Sequence, residues 1–260
     1  MLEFYKYHGT GNDFVMIDNR TEFFQKDNKE LVAFLCHRRF GIGGDGLILL
    51  ENAEGYDFKM VYYNADGSES TMCGNGGRCL VAFAKQLNII EDKCRFIAID
   101  GEHLATVATD GTVSLKMIDV SGIKIEDKHS FLNTGSPHHV QVVRNIGSYD
   151  VFNIGKDIRE SELYAPRGTN VNFVEQEGPN HFRIRTFERG VEDETLSCGT
   201  GATAVAISMY AQNKCDSNSI QIDVEGGSLN VSFETEDNIS FKNVWLSGPA
   251  KLVFGGEIEI

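Results

Sequence analysis

The chain has 260 residues, 41% hydrophobic and 24% charged, with a formal net charge of -14. That is ordinary globular composition, enough for one large domain or two of roughly 130 residues. So acidic a balance argues against nucleic acid or an anionic membrane surface as partner, since both are bound through basic residues, and no run approaches the ~18 apolar residues of a membrane span.

The start, "MLEFYKYHGTGNDF", has no basic region followed by an apolar core, so no signal peptide is expected and the protein is read as cytoplasmic. In that reducing compartment Cys36, Cys73, Cys79, Cys94, Cys198 and Cys215 are expected as free thiols. Strand-like "LEFYKYHG" and "FVMID" open the chain, a helical pattern follows in "NKELVAFLCHRR", and strands return at "LILLE" and "YDFKMVYYN". The stretch "MCGNGGRC" then leads into a helix, with Leu80, Val81, Phe83, Ala84 and Leu87 spaced for burial. Strands follow at "CRFIAI", "HLATVA" and "TVSLKM".

The second half repeats this order. Strands are expected at "HHVQVV", "TNVNFVEQ" and "HFRIRTFE", then "LSCGTGAT" enters the helix "ATAVAISMYAQN", and "SIQIDV", "SLNVSFE" and "ISFKNVWL" read as strands. The cysteines Cys73 and Cys198 lie 198 − 73 = 125 residues apart, close to half the chain. Strands, cysteine turn, helix and strands, twice over, imply duplication into two similar α+β lobes.

Several chemistries compete for these stretches. "GIGGDG" at Gly41 to Gly46 matches a dinucleotide fingerprint, but a helical pattern precedes it and a strand follows, the reverse of the required order, so it reads as a glycine-rich turn. A structural zinc site wants close Cys pairs, whereas five residues separate Cys73 from Cys79, and no metal is expected. The neighbours His138 and His139 would face opposite ways on a strand, and are read as one buried and one solvated rather than as a ligand pair. Cys36, Cys79, Cys94 and Cys215 read as small core or surface residues.

Cys73 and Cys198 differ from these, because each sits where a glycine-rich turn enters a helix. The first N–H groups of a helix lack internal partners and carry the positive end of its dipole, which favours a thiolate and can bind a carboxylate. Glycines there let a ligand approach the backbone. Two thiols flanking one amino-acid α-carbon could remove a proton on one face and deliver one on the other, inverting the stereochemistry. The helix-terminal N–H groups would meet charge developing on the carboxylate. No lysine motif for pyridoxal phosphate is visible, and no cofactor is expected.

At these residues the chain resembles the diaminopimelate epimerases, which convert LL- to meso-diaminopimelate without a cofactor. "HGTGNDFV", "RRFGIGGDG", "YYNADGSESTMCGNGGRC", "GSPHHV", "GTNVNFV", "ERGVEDETLSCGTGATA" and "GPAKLVFGGEI" carry the resemblance in order along essentially the whole sequence. It implies two similar lobes, each a mostly antiparallel sheet or barrel wrapped around a central helix and related by pseudo-two-fold duplication, with the active site between them. The first lobe is expected over 1–118 with a returning strand at 249–260, and the second over 119–248. It also implies a homodimer acting on diaminopimelate. By the same resemblance Cys73 and Cys198 are the acid/base thiols, assisted by His138 and Glu188. Gly74, Asn75, Gly199 and Thr200 offer backbone N–H groups to the α-carboxylate, while Asn12, Asn64, Asn170, Glu188 and Arg189 contact substrate. Two positions that line the site in relatives depart, Ser136 where many carry Asn and Gly46 where some carry Gln, so contacts there are expected to be shorter, water-mediated or absent. The insertion-like "VED" after Gly190 leaves the loop before Cys198 open. Two other readings stand beside this one: a racemase of another amino acid, and a thiol-based redox or binding protein.

Overall fold

A computed structural model describes residues 1–260, which divide into two compact units. Unit 1 comprises Met1–Leu115 and Gly248–Ile260, and unit 2 comprises Lys116–Ser247. No helix is long and apolar enough to cross a membrane.

Unit 1 is built on strands β1 (Leu2–Gly9), β2 (Asn12–Asp18), β3 (Gly46–Glu51), β4 (Phe58–Asn64), β5 (Glu69–Ser70), β6 (Lys93–Ala98), β7 (Gly101–Val107) and β8 (Val113–Lys116). The positive φ of both Thr10 and Gly11 closes the tight β1–β2 hairpin and brings Asn12 to the head of β2. Helix α1 (Lys29–Cys36) makes the crossover between parallel β2 and β3. Strands β3 and β4 pair antiparallel, and helix α2 (Gly74–Gln86) bridges the crossover from β4 and its short partner β5 to parallel β6. Strand β19 (Lys251–Ile258) adds to the free edge of β1. Helix α2 packs against β1, β2, β3 and β7, so the sheet curls around it, and Leu80, Val81, Phe83 and Ala84 are fully buried. Leu87, placed in that apolar face by its spacing, is the C-cap and only half-buried.

Unit 2 opens on two short strands, β9 (Val120–Ser121) and β10 (Lys124–Ile125), and reuses this pattern with β11 (Ser130–Asn133), β12 (Pro137–Val142), β13 (Asn170–Gly178), β14 (His181–Glu188), β15 (Asp193–Thr195), β16 (Ser219–Val224), β17 (Gly227–Glu234) and β18 (Ser240–Gly248). Helix α3 (Val151–Glu160) crosses between parallel β12 and β13, as α1 does in unit 1. Helix α4 (Gly199–Ala211) crosses from β14 and β15 to parallel β16, as α2 does. It is apolar all round, which suits a helix covered on every side, and Ala202, Ala204, Val205, Ala206, Ile207 and Met209 are all buried. The fold is α+β in two similar lobes, and the repeat extends to which strand pairs are parallel.

The segment "GIGGDG" is the turn that ends α1 and starts β3. The backbone N–H groups of Ile42 and Gly43 bond to the Leu35 carbonyl and that of Gly44 to Cys36, capping the helix C-terminus.

Candidate active site

In unit 1 the turn before α2 makes Cys73 the N-cap residue, with extended φ and ψ, and its Sγ accepts from the Gly76 backbone N–H (3.4 Å). The thiol donates in turn to Asn12 Oδ1 (3.7 Å), which also accepts from Asn75 Nδ2 (3.2 Å). Asn12 is oriented by its Nδ2, which donates to the Asp45 carboxylate (2.7 Å), so its carbonyl faces the cysteine. Behind this cluster Arg78 is fully buried, donating to Asn75 Oδ1 (2.9 Å), the Gly74 carbonyl (3.2 Å) and Thr10 Oγ1 (3.5 Å). The structure therefore gathers Asn12, Cys73, Gly74 and Asn75. Asn64 lies at the end of β4 opposite Gly46, and its amide donates to Ser68 Oγ (3.4 Å). At Gly46 a Cβ would meet Tyr62 Cε2 at 2.5 Å and the Tyr63 carbonyl at 2.6 Å, so the backbone there has no room for a glutamine.

In unit 2 Cys198 is the N-cap of α4 without a side-chain cap hydrogen bond, and its Sγ lies 3.5 Å from Thr200 Oγ1. Thr134 Oγ1 donates to the Thr200 carbonyl (2.8 Å), holding the first turn, while the Ser136 carbonyl accepts from Thr134 N (3.1 Å). Asn170 stands in register beside His138, donates to the Pro137 carbonyl (3.1 Å) and accepts from Arg189 N (2.9 Å). Glu188 accepts from Thr195 Oγ1 (3.0 Å), and Arg189 Nη1 donates to the Arg167 carbonyl (3.4 Å). The β14–β15 pairing sets Asp193, the last residue of "VED", opposite Glu188 and Thr195 opposite Thr186, so the Thr195 hydroxyl reaches Glu188 diagonally across the two strands.

The glycines of the cysteine turns have a packing reason that differs from ligand approach. A Cβ on Gly201 would lie 2.4 Å from Asn172 Oδ1, one on Gly76 3.0 Å from Ile48 Cδ1, and one on Gly77 3.0 Å from Met72 Sδ. They let the helix starts sit directly on their own unit's side chains. Asn172, Arg78, Thr195 and Asp45 were not among the expected site residues. Asn172 had a signal in "TNVNF", where two asparagines share one strand face at i and i+2.

The expectation of one buried and one solvated histidine is corrected, since His138 and His139 are both buried. They do face opposite ways, but β12 is an inner strand paired on both edges. His139 is covered by the His129 ring and hydrogen-bonded to Tyr164 Oη (2.8 Å) and Gln141 Oε1 (3.2 Å). Burial lowers His138 to about 3, with the Arg189 charge adding to the shift and the Asn172 hydrogen bond opposing it. Burial likewise lowers His139 to about 4, opposed by Gln141. Both values lie below the ordinary 6.5, so as pH falls the unfolded chain takes up these protons first. Their contribution is complete above 6.5 and is lost toward 4 and 3, at up to about 1.4 kcal/mol per pH unit per group. Urea midpoints should fall across this window, and His139→Gln should flatten the slope. A slope unchanged in that variant would refute the account.

The diaminopimelate epimerase family model matches residues 4–121 and 130–253. The chain is 61% identical over 253 residues to the diaminopimelate epimerase of Flavobacterium psychrophilum, covering 97% of this chain and 98% of that protein. It is 43% identical over 260 residues to that of Chlorobaculum tepidum, covering 97% and 99%. Among solved structures, a phenazine biosynthesis protein of the PhzF family from Bacillus anthracis superposes with a TM-score of 0.75 at 13% identity, covering 100% of this chain and 99% of that one. A probable proline racemase from Agrobacterium radiobacter gives 0.71 at 15% identity, covering 100% and 93%. At such identities these two share the fold alone. The family model and the near-complete coverage at 61% and 43% identity agree: the chain belongs to the diaminopimelate epimerase family.

Proposed function

We propose that this protein is an isomerase that converts LL-diaminopimelate to meso-diaminopimelate by two-base proton transfer at the α-carbon, a step of lysine and cell-wall precursor synthesis. The observation that carries the reading is the pair of cysteines at the N-caps of α2 and α4, equivalent helices of the two repeats. Cys73 and Cys198 serve opposite faces of the α-carbon, one as thiolate and the other as thiol. Cys73 already accepts from Gly76 and donates to Asn12, which suits a group that must carry its proton in one direction of turnover and lose it in the other. The first-turn N–H groups of Gly74, Asn75, Gly199 and Thr200 stabilise charge on the α-carboxylate. Asn12, Asn64, Asn170, Glu188 and Arg189 read the amino-acid groups, with the guanidinium of Arg189 suited to a carboxylate. Chiral chromatography of LL-diaminopimelate after incubation with reduced protein tests the assignment. Meso product is expected, and inversion of proline or glutamate instead would assign the protein to another racemase.

The functional halves are proposed as 1–118 with 249–260, and 119–248. The proposed assembly is a homodimer. It is supported by consecutive apolar residues on β19, Leu252, Val253 and Phe254, each about half exposed.

A further inference from the structure

Asn172 and His138 form a fully buried pair on neighbouring strands β13 and β12. Asn172 Nδ2 donates to the His139 backbone carbonyl (2.9 Å), and Asn172 Oδ1 accepts from Thr186 Oγ1 (3.0 Å). A carbonyl can only accept, so it fixes which end of the amide is nitrogen. The same Nδ2 lies 3.1 Å from His138 Nδ1. An amide N–H aimed at Nδ1 requires a lone pair there, which leaves the imidazole proton on Nε2. That Nε2 is buried and makes no hydrogen bond within the protein. The pair also abuts the start of α4, since a Cβ on Gly201 would lie 2.4 Å from Asn172 Oδ1 and 3.3 Å from Cys198 Sγ.

We propose that Asn172 is a positioning residue that holds His138 as the neutral, Nε2-protonated tautomer, so that His138 enters the reaction as a hydrogen-bond donor through Nε2 and not as a base. A nitrogen that already carries its proton cannot take one from a thiol, and the other nitrogen is occupied by Asn172. What it can do is donate to an anion at the reacting centre, a thiolate or the substrate carboxylate. The proposal rests on the epimerase reading for the reaction it serves, while the tautomer itself does not depend on that reading.

Long-range ¹H–¹⁵N correlation on reduced protein labelled with ¹⁵N-histidine tests it, His138 being assigned by its loss in His138→Gln. Protonated Nε2 and bare Nδ1 are expected near neutral pH. A proton on Nδ1, or an imidazolium, would overturn the proposal, and this measurement needs no variant of Asn172. Asn172→Asp keeps the shape but turns the donor into an acceptor, so the proton should move to Nδ1, as the other tautomer or as imidazolium. A wrong tautomer typically costs a catalytic histidine several decades, so kcat on LL-diaminopimelate should fall roughly 10²-fold or more with KM changed only about threefold. Retention of the Nε2–H form in Asn172→Asp would show that Asn172 does not set the tautomer. Near-normal kcat with the proton moved would show that the tautomer does not matter. Wild-type protein that inverts no diaminopimelate would instead sink the functional reading, and the spectrum would still decide the tautomer.

Discussion

Cys73→Ala and Cys198→Ala should each lose at least about 10³-fold in epimerase activity, the scale expected when a proton-transfer group is removed outright. That is a barrier increase of about 4 kcal/mol. Loss of folding cannot account for it. Cys73→Ala removes the hydrogen bonds to Gly76 N and Asn12 Oδ1, and Cys198→Ala removes the contact with Thr200 Oγ1, each worth about 1 kcal/mol of stability and well short of unfolding the chain. Circular dichroism and urea midpoints should therefore move little while turnover collapses. The controls are Cys36→Ala, Cys94→Ala and Cys215→Ala, which should keep most activity. Burial pushes the Cys36 and Cys94 thiols up to about 12 and Cys215 up to about 11. At pH 8 roughly one in a thousand or fewer of these is ionised, too few to serve as resident bases. Chiral assay of the five variants decides the matter. Turnover within about tenfold of wild type in either of the first two would remove that cysteine from the mechanism.

Much of this arrangement was legible in the sequence because local rules and tertiary demands agree there. The alternation in "HFRIRTFE" and "SIQIDV" suits half-buried strands, and the Cys-Gly-x-Gly turns mark the starts of α2 and α4. Helix α3 was not legible. Its sequence, "VFNIGKDIRE", has a mid-helix glycine that costs roughly 1 kcal/mol relative to alanine. Gly155 is there because a Cβ would come within 2.5 Å of Phe187 Cβ, a contact 32 residues away along the chain (187 − 155 = 32) that no local window contains. His139 fails for a related reason. Alternation reports which face a residue takes, but whether that face is covered depends on the rings of Tyr164 and His129, which the fold brings in from elsewhere. At the candidate site the cysteines and their helix starts could be read directly. The groups that orient them could not, because Asp45 reaches Asn12, and Thr186 reaches Asn172, only across paired or crossing segments.

In D2O the product formed early should carry deuterium at its inverted α-carbon, while recovered LL-diaminopimelate stays almost wholly protiated. The asymmetry follows from assigning the two faces to different sulfurs. Each resting thiol exchanges with solvent before substrate binds, so the thiol that delivers already holds deuterium. The thiolate that abstracts holds only the proton it has just taken, and on reversal it can return nothing else. Collapse of the carbanion back to substrate is then silent, and collapse forward is labelled every time. A single base that swings between faces inverts the pattern, because it carries the substrate's own proton across into the product. The repeated pairing of each cysteine with its own helix start favours the first scheme, since Cys73 is held by Asn12 and Gly76 and Cys198 lies against Thr200 within separate repeats. Mass spectrometry of both diastereomers below ~10% conversion, where back-reaction of product is negligible and kcat/KM governs the flux, separates the two schemes. Mostly protiated product would sink the two-thiol mechanism even if both cysteines proved essential.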